Sequence, residues 1–397
     1  MIKLHFDIRD IFRVIRLGWS GKKIWIGLCG MIVAWAGYSI LVIISHLAAG
    51  ATLSDVWQRY GLFPGATPAS QALLPAIIGV VGMLFALAVF FLSTCMMCKV
   101  TFQQLKGDDF YSSGDALKFI KENWRGVLFG PVATVALFAF FVVVGIVIGL
   151  LGRYIPYVGE FALALGFIPI FFCALVAVFI AIAIVVSVSM SPAIVGSVGE
   201  DSLEVVIQSF SLTWSQPWRL VLYCLWMKVS VGIGAALLAF FMTSTLGLLT
   251  WACGLFMGGK LANMLDVAQR YVPVDLTQCD GVSSCLPAAT AASGSETWSG
   301  YILAAMLLLL LGVFFSYIQA AYASGTSLIY VILRKKKDDE NLLEWEDEAL
   351  DDEPAPLTDV GGTQETEQAS GDAPESAEEG TKEGGAEASE GKPDGGS

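Results

Sequence analysis

Residues 127–151 read VLFGPVATVALFAFFVVVGIVIGLL, twenty-five positions without a charged side chain. About 20 apolar residues of helix cross the ~30 Å hydrocarbon layer of a bilayer, so a run of this length reads as a membrane span. Five further stretches qualify: Ile24–His46, Leu73–Cys95, Phe161–Ser187, Leu220–Leu246 and Tyr301–Ala321. All are helical in length, and none shows the roughly ten-residue alternation of a barrel strand. The fold class that follows is all-α, a polytopic membrane bundle of six transmembrane helices. The first stretch is too long for a signal-peptide core and follows six basic residues, so it reads as an uncleaved anchor.

Working outward, the chain of 397 residues is 55% hydrophobic and 15% charged. A soluble domain carries about 25% charged residues. The charge that is present lies at one end. From Asp338 to Ser397 there are 21 acidic residues against Lys382 and Lys392, so the net charge of −13 and the pI of 4.6 describe the tail. Two regions result: a six-span domain over 1–337 and an acidic segment over 338–397. Beyond Pro354 the segment is mostly Gly, Glu, Ala, Ser, Thr and Pro, with almost nothing to bury, and is expected to be disordered. Leu342, Leu343, Trp345 and Leu350 are its only large apolar residues before Leu357, suited to one or two helical turns docked on a partner. A solvated tail and a contact site for a basic protein are its two readings. The preceding cluster Arg334–Lys337 suits anionic headgroups.

Basic residues orient the chain. Sixteen flank the spans on the side of both termini, among them Lys3, Arg9, Arg13, Arg16, Lys22 and Lys23; only Arg59, Arg153, Lys260 and Arg270 lie opposite. The bias places both termini in the cytoplasm, of a bacterial inner membrane. The larger outer loops are then Leu47–Ala72 and Gly247–Gly300. The second carries Cys279 and Cys285, separated by five residues that include Gly and two serines. On that side an oxidising compartment would permit a small disulfide; two free thiols are the alternative.

A pattern recurs three times. Aligned on Trp19, Trp124 and Trp214, the segments IFRVIRLGWSGKKIWIGL, ALKFIKENWRGVLFGP and VIQSFSLTWSQPWRLVL each combine a short amphipathic helix, a tryptophan and a basic residue ahead of an odd-numbered span. Such a helix lies in the headgroup region with its tryptophan as interfacial anchor. Ser112-x-x-Asp115 and Asp201-x-x-Glu204 resemble capping boxes at two of the starts. Each even-numbered span continues into a semi-polar stretch: LSTCMMCKVTFQQL, VSVSMSPAIVGSV and SYIQAAYASGTSLIYVIL. These halves either project beyond the bilayer or pack their hydroxyls against neighbours. Three units of interfacial helix, span, span are the expectation.

Motifs that would carry chemistry are weak. His5 and His46 lie on opposite sides, which leaves no histidine-based metal site or triad. Gly254 to Leu261 has phosphate-loop spacing but lacks the Ser or Thr for magnesium and a preceding strand. Cys95 and Cys98 have redox spacing but sit at the end of a span and read as packing. Gly126/Gly130 and Gly145/Gly149 suit close helix approach, within the bundle or in a homo-oligomer. Pro131, Pro169 and Pro192 are expected to bend or interrupt spans or their ends. Lys228 in LWMKVSVG is the one intramembrane charge on this reading; a long side chain reaching the inner surface is favoured over an ion pathway. No catalytic residue, metal or cofactor is expected, and no nucleic-acid partner. The lipid bilayer is the expected partner, with a protein partner for the acidic tail.

The segments GDALKFIKENWRGVLF and EDSLEVVIQSFSLTWSQPWRLVL resemble poorly characterised bacterial multi-pass families, among them the membrane domain fused to some glycerophosphodiester phosphodiesterases. TSLIYVILRKKKDDENLLEWEDE is similar to the closing segment of uncharacterised planctomycete-type membrane proteins. The resemblance implies no activity, because the catalytic domain of those fusions has no counterpart in these residues. The expected function is a non-enzymatic scaffold or assembly bundle. The alternative is a transporter or channel whose path is lined by the semi-polar halves of the even spans.

Overall fold

Among the described residues of the computed structural model, six helices are long and apolar enough to cross a membrane. The structure describes residues 8–65, 72–154, 158–199, 201–272, 289–290, 292–339 and 342–344. Cys279, Cys285 and the tail from residue 345 onward lie outside them, and the described residues fall within one packing unit, Met1–Trp345. In chain order the helices are α1 (Ile8–Ile11), α2 (Val14–Gly18), α3 (Gly21–Ala48), α4 (Leu53–Tyr60), α5 (Leu73–Lys106) and α6 (Ser113–Tyr154). They continue as α7 (Val158–Leu165), α8 (Phe167–Val198), α9 (Ser202–Ser215), α10 (Pro217–Met257), α11 (Gly259–Gln269) and α12 (Gly294–Asp338). The spans are α3, α5, α6, α8, α10 and α12.

Local chemistry explains the boundaries. Between α2 and α3, Ser20 is extended (φ −111°, ψ 122°), and Gly21 opens the next helix. Between α9 and α10, Pro217 occupies the first helical position, where its missing N–H costs nothing. Around Trp124 the chain reads Trp-Arg-Gly-Val, with neither a capping residue nor a proline. The interfacial helix expected there is accordingly not separate but the first turns of α6, a correction to the three-unit expectation. Span four is also corrected. Phe161–Leu165 belongs to α7, and α8 begins only after Gly166, because Pro169 has no N–H to bond the Leu165 carbonyl. The connections read from sequence as outer loops carry helices of their own, α4 and α11, and α10 runs eleven residues beyond the expected end of span five.

The spans pack in sequential pairs, α3 on α5, α6 on α8 and α10 on α12; the second members α5, α8 and α12 also contact one another. α12 touches α2 and α3, α5 touches α6, and α9 lies against α6 and α8. The core sits at the end where α5, α8 and α12 finish, the basic end. There Cys98 and Phe102 of α5, Met190 and Ile194 of α8, and Leu328 to Leu333 of α12 are buried together. The opposite halves of several helices are bare. Phe140, Ile146 and Leu150 of α6, and Phe171, Leu175 and Val178 of α8, are all exposed. In water each would forfeit about 1.5–3 kcal/mol of burial, whereas in hydrocarbon the exposure costs nothing. The longest helix, α12, has 45 residues and measures about 67 Å against a ~30 Å hydrocarbon layer. A membrane-spanning half and a protein-packed half therefore share one continuous helix.

Leu342 and Leu343, read from sequence as a contact for a partner, are buried in this same core. α12 ends at Asp338, and the next residue, Asp339, has a left-handed backbone (φ 57°).

Candidate functional site

The semi-polar stretches that distinguish α5, α8 and α12 meet at the basic end. In a helix, Ser and Thr hydroxyls can bond the carbonyl one turn back. Thr101 donates to Met97 O at 2.8 Å, Ser197 to Ala193 O at 2.7 Å, and Thr326 to Ala323 O at 3.0 Å. Held so, Thr101 and Thr326 also reach the neighbouring helix: Thr101 Oγ1 lies 3.1 Å from Ser324 Oγ and Thr326 Oγ1 lies 3.8 Å from Cys98 Sγ. Tyr322 and Ser189 share a hydrogen bond of 2.8 Å, linking α12 to α8. Gln319 Nε2 donates to Ser93 Oγ at 2.9 Å and Thr94 Oγ1 at 3.0 Å, linking α12 to α5. Cys98 Sγ donates to Ala323 O at 3.5 Å, so the Cys95/Cys98 pair is packed into the helix contact as expected.

At the centre is Lys23, wholly buried although it is one of a basic cluster in sequence. Its ammonium donates to Leu17 O at 2.9 Å and to Ser324 Oγ at 3.0 Å, and Ser324 Oγ lies 3.1 Å from Thr101 Oγ1. One side chain thus ties α2, α3, α12 and α5. Leu17 O is a carbonyl at the end of α2, where intrahelical donors run out, and the cation satisfies it. Among the described residues no carboxylate forms an ion pair with Lys23. The α2–α12 approach is close: a Cβ on Gly18 would lie 2.8 Å from Ala321 Cα.

A second joint lies at Pro131 in α6. Proline has no N–H for the carbonyl four residues back, Val127 O, and that carbonyl accepts from Ser191 Oγ of α8 at 3.0 Å. Replacing Ser191 with Ala is expected to cost about 1–2 kcal/mol, the price of an unpaired buried carbonyl, seen as a lowered unfolding midpoint in detergent. Adding Pro131→Ala should return most of that loss, since residue 131 then supplies the missing donor.

At the other end, Asn263 of α11 accepts from Thr290 N at 2.7 Å and donates to Glu296 Oε2 at 3.1 Å, tying α11 to the start of α12. α4 is capped by Thr52, whose hydrogen bonds hold the Asp55 carboxyl below the usual carboxylate range.

The expected residues distribute as follows. Trp19, Trp124 and Trp214 are all exposed near the basic end, edge-on or tilted against Tyr317, Phe129 and Phe179 respectively. Ser112 and Asp115 form their capping box. Asp201 and Glu204 do not: Asp201 makes no side-chain cap bond, and the Glu204 carboxylate is taken by Gln208 at 2.7 Å. Lys228 is exposed on the surface of α10, whereas Lys23 is buried, as are Asp10 and Lys99. Of the small-residue pairs, Gly130 meets Val205 of α9 rather than another span, while Gly145 and Gly149 have nothing within 4 Å. Among the described residues no group of three or more His, Cys, Asp or Glu is placed to hold a metal.

The signal for Lys23 lay in its position. It is the second residue after a Ser-Gly helix start, where α2 ends and its last carbonyls need donors. Comparison with family models, with curated proteins and with solved structures returns no match for this chain.

Proposed function

We propose that this chain is a non-enzymatic scaffold or assembly bundle of a bacterial inner membrane, with both termini in the cytoplasm. The observation that carries the reading is the closure of the semi-polar halves. Ser324, Thr326 and Ser327 of α12, Thr101 of α5, and Ser191 and Ser197 of α8 are at most 3% exposed, their hydroxyls committed to carbonyls and to one another. A solute path needs such groups to face water. Here all but Ser197, which bonds within α8, serve as interhelical contacts, the ordinary use of polar residues in membrane bundles. The basic residues of this end, together with the acidic tail, are the surfaces offered to protein partners.

The recurrence of an amphipathic segment, a tryptophan and two spans is read as a threefold internal repeat. Sequential pairing of the spans, with α5, α8 and α12 in mutual contact, supports it. A transporter or channel is the other reading, and it requires the three closed faces to part.

Reconstitution of the full chain in liposomes separates the two. No flux of ions or small solutes above empty liposomes is expected, and sustained flux abolished by substitutions at Ser324 or Thr101 would overturn the scaffold reading. Photo-cross-linking in native membranes tests the tail. Truncation is best placed after Trp345, because Leu342 and Leu343 belong to the core. Loss of cross-linked partners is expected; an unchanged set would remove the tail from the proposal.

A further inference from the structure

A groove of about 620 Å³ runs between α3, α5 and α6. Its floor is apolar: Cys29 and Val33 come from one face of α3, Leu92 and Met96 from one face of α5. From Trp25 to Val33 it follows α3 for about 12 Å, the length of two helical turns. The α6 wall is different: beside Ser113, Leu117 and Ile120 it carries Trp124 and Lys121, the one charged residue of the lining, and Trp25 lines the groove from α3.

Lys121 is exposed, and among the described residues it makes no hydrogen bond or ion pair. Asp115, an acidic residue of the same helix, is held by the Ser112 cap. One turn before Trp25, Lys22 donates to the carbonyls of Asp109 and Tyr111 and so ties the α5–α6 connection to α3. The lining of the apolar trough thus includes one cation and two indoles. That is the arrangement a phospholipid requires, with hydrocarbon along the trough, glycerol beside the tryptophans and phosphate on the lysine.

We propose that this groove holds one anionic phospholipid, its phosphate on Lys121 and one acyl chain between α3 and α5. The volume is within the range of about 300–1,000 Å³ typical of small-molecule sites. Charge complementarity selects an anionic headgroup over a zwitterionic one, because among the described residues no carboxylate pairs with Lys121 and the surrounding end is basic.

Native mass spectrometry of the full chain in mild detergent, with phosphatidylglycerol or phosphatidylcholine added at equal concentration, reads the site directly. One retained phosphatidylglycerol is expected. Lys121→Glu should weaken its retention about tenfold or more, the loss of a charge-assisted contact. Cys29→Trp, which fills the trough, should remove it. Lys118→Glu makes the same charge change on the same helix outside the lining and should leave retention unchanged. Because Lys121 is exposed, its substitution tests the site even if Cys29→Trp does not fold. Equal retention of the two lipids, or an undiminished adduct on Lys121→Glu, would overturn the proposal.

Discussion

Gly196→Leu is expected to destroy the folded bundle, with a loss of at least about 3 kcal/mol, at the top of the range for overpacking. Gly196 lies on α8 where it crosses α5. A Cβ there would stand 2.8 Å from Cys98 Cβ, 3.1 Å from Cys95 O and 3.1 Å from Lys99 N. Two of the three obstacles are backbone, so no rotamer change relieves them and the helices must separate. Gly18→Leu should do comparable damage by lifting α2 from Ala321. Gly145→Leu is the internal comparison. Nothing lies within 4 Å of it, and Leu is the better helix former, so the change should be neutral or slightly stabilising. Thermal unfolding of the three variants in one detergent would order them. A Gly145 variant as damaged as Gly196 would contradict the division into a packed basic end and a lipid-facing end.

The second large effect is at the buried Lys23. Lys23→Ala removes the donor to Leu17 O and Ser324 Oγ and leaves a cavity where α2, α3, α5 and α12 meet. A loss of about 3 kcal/mol is expected, from an unpaired carbonyl together with the lost packing of the stem. Lys23→Met keeps the stem without the donor and should fall between alanine and the native residue. Lys228→Ala, at an exposed position, should stay within about 0.5 kcal/mol of native. Equal sensitivity at the two lysines would refute the placement of Lys23.

The contrast between those lysines marks what could be read in advance. Apolar length alone located six spans, because the bilayer imposes a minimum run that little else in a protein demands. The semi-polar continuations were legible as a class, and packing of their hydroxyls was one of two expected uses. Their partners were not legible, since which Ser meets which carbonyl depends on helix crossings that one sequence does not specify. Lys23 was hidden by company. Five other basic residues around it fit a loop facing the cytoplasm, and only the end of α2 at Gly18 turns this one inward. The break at Gly166 was hidden for the opposite reason, because hydropathy runs through it without change and only Pro169 marks it. The fused start of α6 shows the same thing in reverse: the Trp124 segment matches its counterparts in pattern but lacks the Ser-Gly or Gln-Pro that would end a helix. Leu342 and Leu343 looked available to a partner because their neighbours are acidic, yet two leucines are enough to anchor the chain after α12 to its own bundle.

The central claim is that the semi-polar halves of α5, α8 and α12 are closed on one another rather than lining water. Cys95 and Cys98 lie in that contact, both fully buried, and their reaction with a small water-soluble maleimide reports on it. Intact protein in liposomes would be treated, and the modified cysteines located by mass spectrometry. The account predicts that neither thiol is modified over a time that labels the denatured chain completely. Modification of both in the intact protein, at a rate near that of the denatured chain, would contradict it.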